Sequence, residues 1–300
     1  MSESIAISVT LCGLSRLFGD GLSGVVRAAR LAEEAGVDQI VLPDHLAVGP
    51  RTDRYPYGRF PYPNEEPWLE PLTALAAIAG ATRRIRLGTG VLIAPLRPAL
   101  LLAKTLATLD ALSDGRVDLG VGTGWQREEF AAAGVPFRGR TARLDDTLRA
   151  CRVLWSEAPA SFHSETVSFS DVWCLPRPVQ SGGIPIWIGG ALTEGNVGRI
   201  VEYGRGWMPM ACGLEELEAG IARLRGAFAE AGRDPAGLEV RAAAPLVLDS
   251  RGRVDVERSL AALPRLREVG ATAASFALDP FASRPADVGP FFERLGQLGA

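Results

Sequence analysis

Apolar residues along this chain fall into two alternating patterns, short unbroken runs and longer stretches in which they recur every three or four positions. The clearest example is the segment from 85 to 125. Residues 85–93 form an apolar run that predicts a strand, closed by Ala94, Pro95, Leu96, Arg97 and Pro98, because proline lacks the amide that a central strand donates. Leu102, Leu106 and Leu109 then fall at i, i+4 and i+7 with no proline or glycine between Pro98 and Ser113, which predicts a helix. Ser113, Asp114 and Gly115 stop it. Val117, Leu119 and Val121 make a second buried strand that ends in Gly122, Thr123 and Gly124. Both strands end in glycine-rich turns, so two backbones can approach a flat or phosphorylated ligand at one end of a sheet.

The same alternation extends along the chain. Residues 5–11 and 38–43 predict strands on either side of a helix carrying Leu22, Val25, Val26 and Ala29, which Gly36 closes. A long connection, 44–68, precedes a helix that begins near Pro71 and ends at Gly80. Helical stretches follow at 126–133 and 140–155, then a break at 157–183 in which 160–163 and 167–169 read as a short hairpin. Residues 184–188, 207–210, 238–248 and 273–278 predict the last four strands; helices are expected at 193–203, around Leu217, Ile221 and Leu224, around Leu260, Leu263 and Leu266, and at 288–298. Pro264 must kink or restart its helix.

Strands without a polar face, each followed by a helix, indicate a parallel sheet covered on its outer side. The predicted fold class is α/β, a (β/α)8 TIM barrel with insertions after strand 2 and before strand 5. A doubly wound open sheet would need a dinucleotide fingerprint early in the chain, and Leu11, Cys12, Gly13 and Leu14 do not form one. With no Ser/Gly/Pro-rich linker or charge block dividing it, the chain is expected to form one domain over 1–300.

Composition removes several functions. A formal charge of −3 with dispersed arginines carries no nucleic-acid footprint. The N-terminus lacks a basic leader and no apolar run is long enough to span a bilayer, so a cytoplasmic protein acting on a small molecule is expected, with no membrane and no nucleic acid as partner. Cys12, Cys151, Cys174 and Cys212 show neither CxxC spacing nor a disulfide framework.

In barrels of this kind the active site is assembled from the loops at the carboxyl ends of the strands. That rule selects Asp44 and His45 after strand 2; Thr89, Gly90 and Val91 in strand 3; Gly122, Thr123, Gly124 and Trp125 after strand 4; Gly189, Gly190 and Ala191 after strand 5; and Trp207 in strand 6. His45 is the candidate for proton transfer, since imidazole titrates near neutrality, and Asp44 is either its orienting partner or a turn cap. The other histidine, His163, lies in the predicted hairpin and reads as structural. Neither HxH nor HExxH spacing occurs, which leaves no zinc site. Gly189, Gly190 and Ala191 precede a helix near Thr193, where free amides and small residues make a phosphate cradle. The 44–68 connection carries Tyr55, Tyr57, Phe60 and Tyr62 and is read either as a substrate-covering lid or as a structural insertion. With no P-loop and no lysine in a barrel strand, the chemistry falls to a bound cofactor.

Taken in order, PDHL at 43–46, RYPYGRFP, EPWLEPLTALAAIA, the segment 84–125, GVPFRGR at 134–140 and PIWIGG at 185–190 resemble the luciferase-like flavin and deazaflavin oxidoreductases of the bacterial luciferase superfamily. The resemblance spans most of 38–210 and is nearest to the branch that uses the deazaflavin coenzyme F420. It implies a cofactor ring lying across the barrel mouth, backed by a non-prolyl cis peptide at Gly90–Val91, with phosphate near the turns after strands 4 and 5. His45 matches the histidine that deazaflavin-dependent relatives place beside the hydride-accepting carbon. Two departures stand out. Sugar-phosphate dehydrogenases of the family carry a glutamate where this chain has Trp125, and an aromatic residue where it has Gly49, so sugar-phosphate oxidation is not expected. Trp125 is expected to shape an apolar pocket or to pack on the ring. The implied activity is hydride transfer between F420 and a small organic substrate; the alternative is an FMN-dependent monooxygenase on the same fold. The resemblance also implies a homodimer formed through helices beside strands 2 and 3.

Overall fold

The computed structural model describes residues 5–19 and 21–299; the N-terminal residues read above as lacking a leader lie outside these. The unbroken apolar runs become strands buried on both faces. In chain order these include β1 (Ala6–Thr10), β2 (Gln39–Leu42), β3 (Arg86–Thr89), β4 (Leu92–Ile93) and β5 (Val117–Gly122). Two strands, β6 (Ala160–His163) and β7 (Ser168–Val172), pair with each other in an antiparallel hairpin outside the main sheet. The remainder are β8 (Ile186–Gly189), β9 (Gly206–Met208), β10 (Glu239–Ala243) and β11 (Ala273–Ala277).

All pairings of the main sheet are parallel, and the sheet closes on itself. Val9 of β1 faces both Ile40 of β2 and Phe276 of β11, while Leu87 of β3 faces Val117 of β5 and Leu92 of β4 faces Val121 of the same strand. Strands β3 and β4 are therefore two halves of one stave. The result is a closed eight-stave parallel barrel ringed by helices, the (β/α)8 class that the alternation predicts.

The helices place their apolar positions against this barrel. They are α1 (Leu14–Phe18), α2 (Gly24–Ala35), α3 (Pro71–Ala81), α4 (Ala99–Leu112), α5 (Arg127–Ala132), α6 (Arg140–Ser156), α7 (Glu194–Tyr203), α8 (Leu214–Glu230), α9 (Val256–Ala261), α10 (Leu263–Glu268), α11 (Leu278–Phe281) and α12 (Pro285–Gly299). In α2, Val25, Ala28, Ala29 and Ala32 are buried, and Gly36 ends the helix in the left-handed conformation, as its position requires.

Two boundaries differ from expectation, those after β10 and before the last helix, while the restart expected at Pro264 is found. The strand predicted over 238–248 ends at Ala243: the amide of Ala244 makes one more bond to Ser275, then Pro245 has none to give, and Leu246 and Leu248 turn outward. Pro264 stands at the start of α10 and restarts the chain there, where a first-turn proline sacrifices no hydrogen bond. The last helix starts at Pro285, earlier than its apolar stripe indicates, with the short α11 inserted directly after β11. Among the described residues no helix is long and apolar enough to cross a membrane.

Candidate active site

His45 sits just past the carboxyl end of β2, and its ring is buried. Its Nδ1 lies 3.1 Å from Oε2 of Glu129, the other oxygen of which accepts the Leu46 amide at 2.7 Å. Glu129 is fully buried on α5, held there by the turn that follows β5. With Nδ1 turned to Glu129, the ring nitrogen not engaged by that carboxyl group is Nε2. The structure thus assigns to Glu129 the orienting role that adjacency suggested for Asp44. Asp44 instead accepts the Ile93 amide at 2.8 Å and two bonds from Arg97 at 2.6 and 3.0 Å, tying the end of β2 to β4. Arg97 reaches on to Glu70, which caps α3.

The 44–68 connection folds back across this end of the barrel. Its base is held on one side by Gln126, whose side-chain oxygen accepts the Gly49 amide and whose amide donates to the Gly49 carbonyl. On the other side Glu66 accepts from the amide and hydroxyl of Ser15. Between these clamps the aromatic side chains close over His45. Phe60 and Trp68 lie 5.9 and 4.9 Å from the imidazole centre, and Trp125, 5.5 Å from Phe60, lies 6.0 Å from it. Tyr55 touches both Phe60 and Trp125 at 5.3 Å, and Tyr62 meets Trp68 at the same distance while its hydroxyl donates to Asp279. All five predicted lid and pocket residues, Tyr55, Tyr57, Phe60, Tyr62 and Trp125, belong to one aromatic cluster around the histidine. Gly49 is crowded: a Cβ there would lie 2.6 Å from the Glu128 Cβ.

The glycine turns divide into two kinds. The Gly90–Val91 peptide is cis, interrupting the stave between β3 and β4. It carries the Val91 side chain across the barrel top, where a Cβ on Gly122 or Gly189 would lie 2.8 or 2.3 Å from it. Those two glycines thus receive Val91, a packing reason that the sequence does not display. Gly124 is likewise packed, against Ile93 and Phe130. Thr89 donates to the Gly120 carbonyl at 2.7 Å, and Thr123 stays half-buried beside Gly124. Gly190 differs. Its φ of 112° is open to glycine, and what a Cβ would meet is the Tyr57 hydroxyl at 3.0 Å rather than core. Burial raises the Tyr57 hydroxyl above the usual tyrosine range, and the nearby Ala191 backbone works against that shift. Ahead of α7, Thr193 caps the Asn196 amide. Tyr57 of the 44–68 connection thus lies against the Gly190 turn.

Trp207 is in place but faces outward. It packs on Gly220 of α8 and its indole donates to the Gly190 carbonyl at 2.9 Å, so it shapes the turn from behind. Its neighbour Met208 points inward, against the positions where Gly90 and Gly120 would carry side chains. Sequence reasoning therefore missed Glu129, Trp68, Gln126 and Met208. Strand alternation could have separated Met208 from Trp207; nothing in the sequence brings Glu129 to His45. Away from the site, His163 bonds only to Ser168 and Ser170 within the exposed hairpin. No group of three potential metal ligands occurs among the described residues.

A closed parallel barrel of the (β/α)8 class carries a buried His–Glu pair and an aromatic cluster at the carboxyl end of its strands. The chain belongs to the luciferase-like monooxygenase family, whose model matches residues 9–277. An uncharacterised protein of Mycobacterium tuberculosis is 36% identical over 211 residues, 69% of this chain and 74% of that one. An F420-dependent glucose-6-phosphate dehydrogenase of Amycolatopsis mediterranei is 32% identical over 187 residues, 60% of this chain and 51% of the relative. Among solved structures, a monooxygenase of Streptomyces bottropensis superposes with a TM-score of 0.79 at 22% identity, covering 98% of each chain.

Proposed function

We propose that this protein moves a hydride between coenzyme F420 and a small, uncharged organic substrate at the carboxyl end of the barrel. The observation that carries the reading is His45, its Nδ1 turned to Glu129, beneath a cluster of aromatic rings. When bound, the coenzyme supplies a ring carbon that gives or takes a hydride. Its fit is supported by the turn at Gly190, where a Cβ would meet only the Tyr57 hydroxyl and the Asn196 side-chain amide, so that an oxyanion has room once Tyr57 moves aside. Support for F420 also comes from the relative that uses it.

The chain's own groups then have definite tasks. His45 takes the proton from a substrate hydroxyl as it is oxidised, or returns it to the oxygen of a carbonyl as it is reduced. Glu129 holds the imidazole in the tautomer that leaves Nε2 available. Phe60, Trp68 and Trp125 exclude water and favour an apolar substrate; with Trp125 where an acid would stand, sugar phosphates are disfavoured. A homodimer is part of the same reading, and exposed Leu100, Leu101 and Leu112 on α4 offer it an apolar face.

An FMN-dependent monooxygenase is the second reading, favoured by the luciferase-like monooxygenase family to which the chain belongs. A deazaflavin carbon does not form the oxygen adduct that monooxygenation requires, so the two separate in one experiment. Protein mixed with reduced F420 and a panel of ketones and aldehydes under nitrogen should oxidise the cofactor in a single turnover. Oxygen uptake with reduced FMN, and no anaerobic turnover, would favour the monooxygenase.

A further inference from the structure

The amino-terminal end of the barrel is hollow. The first residues of the strands, among them Ser8, Gln39, Arg86, Asp118, Trp187 and Arg241, line a cavity of about 700 Å³, within the range of small-molecule sites. Most charges around it are already matched. Arg86 makes two bonds to Asp118 at 2.7 and 2.6 Å, and Gln39 donates to the same carboxylate. Arg205 pairs with Glu239 at 2.7 Å, and Asp38 accepts the Ile7 amide.

Arg241 differs, since Asp118 and Glu239 act on its charge only at a distance. It is 3% exposed yet makes no hydrogen bond to a carboxylate. Its guanidinium lies 4.4 Å above the Trp187 ring and 3.7 Å from the Met208 sulfur. Burial lowers it to about 10, so it is charged at neutral pH. Its Nε and the indole Nε1 of Trp187 are both buried without an acceptor. Two neighbouring donors, one on a cation, lining one cavity with nothing to donate to, form half of a binding site.

We infer that the amino-terminal end of the barrel is a second ligand site, in which Arg241 and Trp187 bind the carboxylate of a small organic acid. A carboxylate presents two oxygens to the guanidinium edge, and the indole plate behind that edge fixes its orientation. The flanking carboxylates of Asp38, Asp118 and Glu239 repel added negative charge, so a monoanion is preferred to a phosphate dianion. The site is independent of the cofactor reading, since it lies at the other end of the barrel from His45.

The test uses acetate and benzoate as probes, with inorganic phosphate for comparison, titrated into the full-length protein at fixed ionic strength and followed by calorimetry and saturation-transfer NMR. Saturable carboxylate binding is expected, with phosphate weaker by about tenfold. Arg241→Gln should lose about 10- to 100-fold in affinity, the loss of a charged hydrogen-bond pair, and Trp187→Phe about fivefold with the aromatic plate retained. His45→Ala should bind the probes like the parent protein. Absence of saturation, phosphate binding as tightly as the carboxylates, or equal affinity in folded Trp187→Phe and Arg241→Gln would each overturn the proposal. So would a crystal structure grown in benzoate in which ordered water alone satisfies both donors.

Discussion

His45 and Glu129 stand 84 positions apart in the chain, yet Nδ1 of the first lies 3.1 Å from Oε2 of the second. The pair joins the end of β2 to the helix after β5, and one carboxylate fixes both the ring and the Leu46 amide.

That relationship predicts a particular kinetic signature. Glu129→Gln removes the fixed negative charge while keeping shape, and should lower kcat by about 10- to 100-fold with KM nearly unchanged; His45→Ala should cost about 100-fold or more. Steady-state kinetics over a pH range checks this. A lowered melting temperature in Glu129→Gln with kcat and its pH profile intact would assign the carboxylate to scaffolding alone.

The Gly190 turn gives a prediction with an unusual sign. Because the Tyr57 hydroxyl occupies the seat expected for an oxyanion, Tyr57→Phe should tighten cofactor binding by a few-fold, about the worth of one neutral hydrogen bond. Gly190→Val, at a φ of 112°, should abolish binding without unfolding the barrel. Fluorescence titration reads the first and circular dichroism controls the second; weaker binding in Tyr57→Phe would mean that the hydroxyl helps to hold the cofactor.

The aromatic segment should behave as a closing element. Arg51, Arg54 and Arg59 are exposed on it, so trypsin should cut there in the free protein and more slowly when cofactor and substrate are present. Equal cleavage rates in both conditions would make the segment a fixed wall.

Acid stability should depend on Glu33. Partial burial works against its ionisation, but the amides of Ile85, Arg84 and Arg83 outweigh it and hold the carboxyl below its usual range. A lowered folded pKa contributes stability above the unfolded value, near 4.3, that is lost as pH falls through the folded one. Glu33→Gln should therefore melt earlier than the parent at neutral pH, with the gap closing on acidification below about pH 4. A gap independent of pH would contradict the assignment.

Much of the barrel was legible because its strands are apolar runs and its helices are bounded by glycine or proline, as Gly36 after α2 and Pro98 before α4 show. Strand ends were less so, since Pro245 acts only after one further amide has paired. At the site, residue types pointed to His45 and to the aromatic segment. Direction did not follow from type: Trp207 and Met208 are adjacent and face opposite ways. Nor did the purpose of a glycine, because Gly122 and Gly189 make room for Val91, a side chain from another stave. Glu129 was beyond reach for the same reason, being brought to His45 only by closure of the barrel.

The central claim is that this barrel takes a deazaflavin across its mouth. Its most direct test is a parallel titration of the cofactor-free protein with F420 and with FMN, following quenching of each cofactor's fluorescence. Saturable quenching of F420, weakened in Gly190→Val, with FMN bound at least about tenfold more weakly, is the predicted result. Tight FMN binding with no response to F420 would contradict it.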